Sequence, residues 1–120
     1  GIAEARTLLG TTAIIGASCY DDLQRARDAV AAGADYIAFG AFFPSPTKPL
    51  ARRAGLDLLR DSAGLGVPRV AIGGITAENA RPLVDAGADL VAVISGVSDA
   101  ADPVAAARAY LSCFEDIPTA

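Results

Sequence analysis

The sequence contains the same pattern twice, in residues 29–39 and again in residues 83–93. Each copy ends a helix-like stretch, continues with Gly-Ala-Asp and then runs into an unbroken apolar segment. A glycine that stops a helix just before an apolar run is typical of α/β connections. The apolar runs lack polar alternation, as strands do when both faces of a parallel sheet are covered. The repeat therefore predicts parallel strands that alternate with helices.

The remaining residues extend this order to four strand–helix units. We expect strands over residues 13–17, 35–40, 70–72 and 89–94, and helices over residues 21–32, 55–63, 76–86 and 102–114. Two architectures fit this order, an open doubly wound sheet and part of a (βα)8 TIM barrel. The chain has no Gly-x-Gly-x-x-Gly dinucleotide fingerprint, and four units in roughly 100 residues suit half of a barrel. We therefore favour the half barrel.

The composition argues against several classes of function, namely membrane spanning, nucleic-acid binding and histidine-dependent catalysis. No apolar run approaches the ~18 residues that span a membrane, and the net charge of −4 provides no basic surface for nucleic acid. The chain has no histidine, so it cannot itself supply a histidine base, a catalytic triad or a histidine metal site. Its two cysteines form no CxxC motif, which favours a reducing, cytoplasmic setting. With no methionine and a helix end stopped by Gly10 at its start, the sequence is expected to be a piece of a longer chain.

The most distinctive segment, residues 39–49, reads Phe-Gly-Ala-Phe-Phe-Pro-Ser-Pro-Thr-Lys-Pro and follows the second predicted strand. Its three prolines fix the backbone and remove three donors, so the segment is a stiff loop rather than a strand. Ser45, Thr47 and Lys48 place two hydroxyls and an ammonium in that loop. This set suits phosphoryl oxygens, because a stiff loop loses little entropy on binding. The alternative is a proline-rich surface turn with a solvated lysine.

Other candidate ligands follow the other predicted strands. In a barrel the carboxyl ends of the strands form the active-site edge. Gly73-Gly74 and Ile94-Ser95 would follow the last two barrel strands, where phosphate is commonly held and where glycine lets N–H groups approach an oxyanion. Ser18 follows the first predicted strand, where its hydroxyl could bind a phosphate or the polar edge of a ring. The alternative is that this hydroxyl caps the next helix.

Three other residues are interpreted without a role in binding. Asp35 and Asp89 begin their strands at the opposite edge, where we expect caps or ion-pair partners. Cys19 is expected at the same edge as Ser18, but without histidine it has no evident activator.

Five segments, in this order and spacing, resemble the thiamine-phosphate synthase (thiamine-phosphate pyrophosphorylase) family: residues 14–21, 33–40, 43–49, 70–80 and 93–95. The resemblance covers nearly the whole chain. Its Ile-Gly-Gly-Ile-Thr segment is shared by several phosphate-binding barrels, whereas the proline loop with Thr-Lys is more specific. The resemblance implies a (βα)8 barrel, of which residues 1–120 form the last four units, strands 5–8, without a second domain.

The resemblance also implies an activity. Members of the family join hydroxymethylpyrimidine diphosphate to thiazole phosphate with Mg2+, and the diphosphate leaves before the thiazole nitrogen attacks. By position, Lys48 would contact the departing diphosphate and Ser18 the pyrimidine substrate or its diphosphate. The thiazole phosphate would be held by the remaining matched residues, Ser45, Thr47, Gly74, Ile94 and Ser95.

The family's Mg2+-binding acidic residues and its second diphosphate-binding lysine belong to the first half of the barrel. We therefore expect no metal ligands in this chain. The chain alone is expected to be inactive, and the missing half or self-association is needed to cover its open sheet edges.

This sequence departs from the family at two positions: Ser45 replaces a common threonine, and Ala92 replaces a serine found in some members. Two other functions stay open. The related thiazole tautomerases carry a histidine at the position of Tyr20 and lack the Thr47-Lys48 pair, so both features favour the synthase. A non-catalytic half barrel that binds a phosphate ligand is the other alternative.

Overall fold

The computed structural model describes residues 1–43, 54–93 and 101–115. Within these ranges four strands form one parallel sheet in the order β1-β2-β3-β4. The strands are β1 Gly16–Tyr20, β2 Tyr36–Phe39, β3 Arg69–Ile72 and β4 Leu90–Ala92; the helices are α1 Ile2–Leu9, α2 Leu23–Ala31, α3 Leu56–Asp61, α4 Ala80–Asp85 and α5 Pro103–Glu115, with a 3-10 turn at Ala63–Leu65. The predicted alternation of parallel strands and helices is confirmed.

Some boundaries differ from the prediction. β1 begins later than predicted, because its pairing with β2 starts at Gly16 and Tyr36. The helix after β1, predicted from residue 21, begins at Leu23 and is capped by Asp22, whose carboxylate accepts from the Arg25 N–H at 3.1 Å. These differences arise because interstrand register and cap geometry, rather than the apolar run itself, decide where an element begins.

The core lies between the helices and one face of the sheet. The side chains on this face are largely buried, as are the helix residues that cover them; the cluster includes Cys19, Ile37, Phe39, Ala71, Ala26, Ala29, Leu59, Leu83 and Val84. Small alanines on the helices allow a close approach to the strands. The core therefore consists of one sheet face and one layer of helices.

The other face, which we call the open face, carries the alternate residues of each strand: Gly16, Ser18, Tyr36, Ala38, Val70, Ile72, Leu90 and Ala92. None of these residues belongs to the buried core of the described ranges. Leu90 is 53% exposed and Tyr36 is 37% exposed. In the described part of the chain the helices therefore cover one face only, although the unbroken apolar runs are typical of strands that are covered on both faces.

At the amino edge of the sheet a buried arginine connects three elements. Arg69 is 8% exposed, and its guanidinium donates to the carbonyl oxygens of Leu59 and Gly87 and to the Ser62 hydroxyl. Its Nε lies 3.5 Å from Asp89, whose carboxylate also accepts from the Arg69 N–H at 3.0 Å. Gly87 has φ 116°, and a Cβ there would lie 3.0 Å from the guanidinium. The guanidinium thus ties α3, β3 and the start of β4 together.

The first copy of the sequence repeat carries the same arrangement. Arg6 donates to the carbonyls of Ala13 at 2.6 Å and Gly33 at 2.7 Å, and to the Asp35 carboxylate at 2.7 Å. That carboxylate also accepts from the Ile15 N–H at 2.7 Å. We call these two sets the arginine clamps. They confirm the prediction that Asp35 and Asp89 are ion-pair partners, and each clamp connects the starts of two neighbouring strands.

Replacing Arg69 with methionine is expected to lower the free energy of unfolding by about 2–4 kcal/mol, because buried carbonyls of Leu59 and Gly87 lose their donor. Urea unfolding at neutral pH measures this change. The matched control is Arg60→Met: Arg60 lies 3.6 Å from Asp57 in an exposed pair, and its loss should change stability by less than about 0.5 kcal/mol. Equal effects at the two positions would contradict the clamp.

Acid should weaken the clamp at Asp35. The Ile15 N–H and then the Arg6 guanidinium lower the pKa of this carboxyl below its usual value. A carboxyl whose pKa is lower in the folded than in the unfolded state stabilises the folded protein at pH values above the unfolded pKa. This stabilisation is lost as the pH falls below about 4. Asp35→Asn keeps an acceptor for the N–H but removes the charge. Urea midpoints of wild type and variant should therefore differ at pH 7 and converge toward pH 3; a constant difference would contradict this.

Candidate functional site

The strand ends at the carboxyl edge are joined by hydrogen bonds that continue beyond the strands. The Gly40 N–H donates to the Tyr20 carbonyl at 3.0 Å, and the Phe42 N–H to the Ile72 carbonyl at 3.3 Å. The Phe43 N–H then donates to the Gly73 carbonyl at 3.2 Å. The segments after β1, β2 and β3 therefore lie side by side at one edge, as the barrel interpretation predicts.

Two glycines permit this close approach. A Cβ on Gly40 would lie 2.7 Å from the Ile72 carbonyl oxygen, and a Cβ on Gly73 would lie 2.6 Å from the Ala41 Cα. Gly73 and Gly74 also have φ values of 97° and 67°, a region that favours glycine. Gly40 and Gly73 are thus required because a side chain at either position would overlap the neighbouring chain segment.

The segment with the proline loop begins and ends at this edge. Phe42 and Ala54 flank it and are buried, and the Ala54 N–H donates to the Ala41 carbonyl at 2.8 Å. The predicted ligands Ser45, Thr47 and Lys48 lie outside the described residues, as do Ile94 and Ser95. The flanking hydrogen bonds put the chain on both sides of residues 44–53 next to the end of β2.

Ser18 and Cys19 lie on opposite faces of β1. Ser18 is exposed on the open face near the carboxyl edge, whereas Cys19 is fully buried in the core. Burial raises the pKa of the Cys19 thiol, so it stays protonated at neutral pH. Cys19 lies at the same edge as Ser18, as expected, but strand alternation turns its side chain to the helices. The Ser18 side chain is not the cap of α2, because Asp22 fills that role.

The Gly73-Gly74 turn is supported by residues that sequence reasoning missed. Thr76 and Asn79 exchange hydrogen bonds: the Thr76 N–H donates to Asn79 Oδ1 at 2.8 Å, and the Asn79 N–H to Thr76 Oγ1 at 3.2 Å. Asn79 Nδ2 donates to the Gly74 carbonyl at 3.1 Å. The Thr76 hydroxyl thus caps the turn that leads into α4, and the regular helix begins at Ala80, later than the predicted residue 76.

A second support comes from α5. The Tyr110 hydroxyl donates to the Ile75 carbonyl at 3.2 Å, and the Cys113 thiol lies 3.4 Å from the Ala77 carbonyl. Burial raises the pKa of Tyr110, which keeps its hydroxyl protonated as a donor. Because these bonds occupy carbonyls, they leave the N–H groups of the turn available. No described residue accepts a hydrogen bond from the Gly74 N–H.

Two kinds of feature are absent from the described ranges, a metal cluster and a membrane-spanning helix. Residues 1–43, 54–93 and 101–115 contain no cluster of three or more histidine, cysteine or acidic side chains that could hold a metal ion. In the same ranges no helix combines the length and apolar character needed to cross a bilayer.

Comparison with known proteins identifies the family. The sequence model of the family described as "Thiamine monophosphate synthase" matches residues 1–97. The chain belongs to this family. The thiamine-phosphate synthase of Xanthomonas campestris pv. campestris (strain 8004) is 63% identical over 113 residues, which are 94% of this chain and 55% of that protein. That of Azoarcus sp. (strain BH72) is 61% identical, over 93% of this chain and 55% of the relative.

A solved structure agrees with this assignment. The thiamine phosphate pyrophosphorylase from Pyrococcus furiosus superposes with a TM-score of 0.82 at 38% identity, covering 97% of this chain and 55% of that one. The chain thus spans about half the length of the thiamine-phosphate synthases that it matches. Its four parallel strands and their helices correspond to about half of a TIM barrel, which confirms the predicted fold class.

Gly73→Ala is expected to lower the free energy of unfolding by about 1–3 kcal/mol, because its Cβ would overlap the backbone of Ala41 and the residue would be held at positive φ. The control is Gly64→Ala, since a Cβ at Gly64 would meet nothing within 4 Å. Chemical denaturation compares the two variants. A Gly73→Ala protein as stable as the Gly64→Ala protein would contradict the tight packing of the strand ends.

Proposed function

We propose that this chain is part of a thiamine-phosphate synthase that joins hydroxymethylpyrimidine diphosphate to thiazole phosphate and releases diphosphate. One observation carries the proposal. This chain belongs to the family, and in it the ends of β1, β2 and β3 lie together. The residues that flank the Ser45–Lys48 segment on both sides are hydrogen-bonded at that same edge. In the proposal, the two hydroxyls and the ammonium of this segment bind phosphoryl oxygens together with backbone N–H groups of the neighbouring strand ends.

The proposed reaction depends on stabilising the charge that develops on the leaving group, rather than on removing a proton with a base. When the bond to diphosphate breaks first, negative charge develops on the leaving group and positive charge on the pyrimidine methylene carbon. A fixed cation lowers the barrier of such a step because it stabilises the developing anion. Lys48 takes this role in the proposal, and Ser18, which is exposed at the carboxyl end of β1, contacts the pyrimidine substrate or its diphosphate. The absence of histidine is consistent with a reaction that needs no histidine base.

The thiazole phosphate is assigned to the neighbouring strand ends. Gly74 offers an N–H that no described residue engages, and its turn is held by Asn79 from one side and Tyr110 from the other. A preorganised N–H binds an anion without further reorganisation. Ser45, Thr47, Ile94 and Ser95 complete this site in the proposal. Tyr20 and the Thr47-Lys48 pair favour the synthase over a thiazole tautomerase.

The proposal places this chain as the last four units of the barrel. The described residues do not supply a magnesium cluster, so no step is assigned to a metal here. In the proposal, the ligands of Mg2+ and a second cation for the diphosphate come from the part of the relatives' length that this chain does not span. The isolated chain is accordingly expected to have no synthase activity.

A chimera tests the function directly. This chain replaces the matching residues of the Xanthomonas campestris synthase, to which it is 63% identical, and formation of thiamine phosphate is measured. The chimera is expected to be active, and Lys48→Ala in the chimera should lower kcat by at least about tenfold with little loss of stability, because a cation at the leaving group is removed. A folded but inactive chimera would contradict the proposed function.

Ser95→Ala in the same chimera is the matched control for the role of Lys48. It should weaken binding of thiazole phosphate by about 1–3 kcal/mol, as expected for the loss of a hydrogen bond to a charged group. Its kcat at saturating thiazole phosphate should fall much less than that of Lys48→Ala. If the two substitutions changed kcat and affinity in the same proportion, the separate assignment of the two residues would be wrong.

A further inference from the structure

The turn after β3 combines a very permissive backbone with hydrogen bonds from other parts of the chain. Gly73 and Gly74 both have positive φ, and glycine restricts its own backbone less than any other residue. A turn that contains two glycines therefore samples several conformations unless other groups hold it. The bonds that hold this turn decide how well its N–H groups are ordered before a ligand arrives.

Three consecutive carbonyls of the turn are each held by a different donor. The carbonyls of residues 73–75 accept, in chain order, from the Phe43 N–H at 3.2 Å, from Asn79 Nδ2 at 3.1 Å and from the Tyr110 hydroxyl at 3.2 Å. These donors belong to the segment after β2, to the residue before α4 and to α5. The turn is therefore fixed by its surroundings rather than by its own backbone.

The bond from Phe43 also sets the direction of the Gly74 N–H. In a planar trans peptide unit the N–H points opposite to the carbonyl of the same unit. Because the Gly73 carbonyl points to Phe43 after β2, the Gly74 N–H points away from β2, toward the side of β3 on which β4 lies. Ile94 and Ser95, which the proposed function assigns to the same phosphate, follow β4 in the sequence.

The chain after Gly74 is held by two side chains. The amide group of Asn79 bridges the turn, since its Oδ1 accepts from the Thr76 N–H at 2.8 Å while its Nδ2 donates to the Gly74 carbonyl. Tyr110 is 8% exposed, and its bond to the Ile75 carbonyl is buried. A phenylalanine ring would fill the same space, so the hydroxyl contributes to the turn and the ring contributes to the core.

We propose that Asn79 and Tyr110 are positioning residues for the thiazole phosphate, which hold the Gly74 N–H in the orientation that binds it. The inference rests on the proposed function, because it takes thiazole phosphate as the ligand of this turn. Neither side chain contacts the phosphate in the proposal; each lowers the reorganisation that binding requires. Loss of either therefore weakens binding of thiazole phosphate but leaves the departure of diphosphate, which depends on Lys48, nearly unchanged.

Tyr110→Phe in the active chimera tests the positioning role, because it removes only the hydroxyl. The KM for thiazole phosphate should rise by about three- to tenfold, as for one lost hydrogen bond, while kcat at saturating thiazole phosphate changes by less than about twofold. Asn79→Ala removes two bonds of the turn and should raise KM further. The matched control is Ser112→Ala, which removes a hydroxyl of the same helix that donates to the Ala109 carbonyl at 2.7 Å; its KM should stay unchanged.

A destabilised control separates positioning from a general loss of stability. Arg69→Met weakens the clamp at the opposite edge of the sheet, so it should lower the stability of the chimera more than Tyr110→Phe does, yet leave KM for thiazole phosphate unchanged. If KM rose in Arg69→Met as much as in Tyr110→Phe, the effect would follow stability and the positioning role would be wrong.

Titration with inorganic phosphate judges the inference without turnover. The amide NMR signal of Gly74 in the chimera should shift as phosphate binds, and the dissociation constant should rise in Tyr110→Phe but not in Ser112→Ala. A chimera that binds phosphate at Gly74 but forms no thiamine phosphate would contradict the proposed function, and these dissociation constants would still decide the positioning role. An active chimera whose KM and phosphate dissociation constant are unchanged by Tyr110→Phe and Asn79→Ala would overturn the positioning role alone. A Gly74 signal that does not respond to phosphate would overturn it as well.

Discussion

The buried guanidinium of Arg69 is the interaction on which the rest of this structure depends. A buried charge is destabilising unless its donors are satisfied, so the carbonyls of Leu59 and Gly87 and the carboxylate of Asp89 must take up fixed positions around it. Those positions set where β3 and β4 begin. Arg6 does the same for β1 and β2 through Gly33 and Asp35. The amino edge of the sheet is therefore an ordered polar layer below an apolar core.

Order at the amino edge carries through to the carboxyl edge. The pairs β2–β3 and β3–β4 keep one register, and β1 shifts by one residue between Ser18 and Tyr20, so that the chain segments that leave the strands meet at one place. Gly40 and Gly73 let these segments touch, while Asn79 and Tyr110 hold the carbonyls of the Gly73-Gly74 turn. Backbone packing thus brings the ends of β1, β2 and β3 together at the candidate site.

The open face connects the fold of this chain with its candidate site. Helices cover one side of the sheet, and the chain spans about half the length of the thiamine-phosphate synthases it matches. In a closed barrel the open face would be interior, and Ser18 would lie at the mouth of that interior. Whatever closes the barrel therefore also decides which groups face the phosphate-binding edge.

The sequence by itself determined the alternation of strands and helices, the glycine stops, and the ion-pair roles of Asp35 and Asp89, because each follows from a local pattern of apolar, glycine and charged residues. It also predicted the edge where Ser18 and Gly74 lie. Only the tertiary structure decided that Cys19 faces the helices, that Tyr110 supports Ile75 from 35 residues away, and that Arg69 is buried. Those features arise from contacts between elements distant in the chain, and no local pattern encodes the register and packing that bring such residues together.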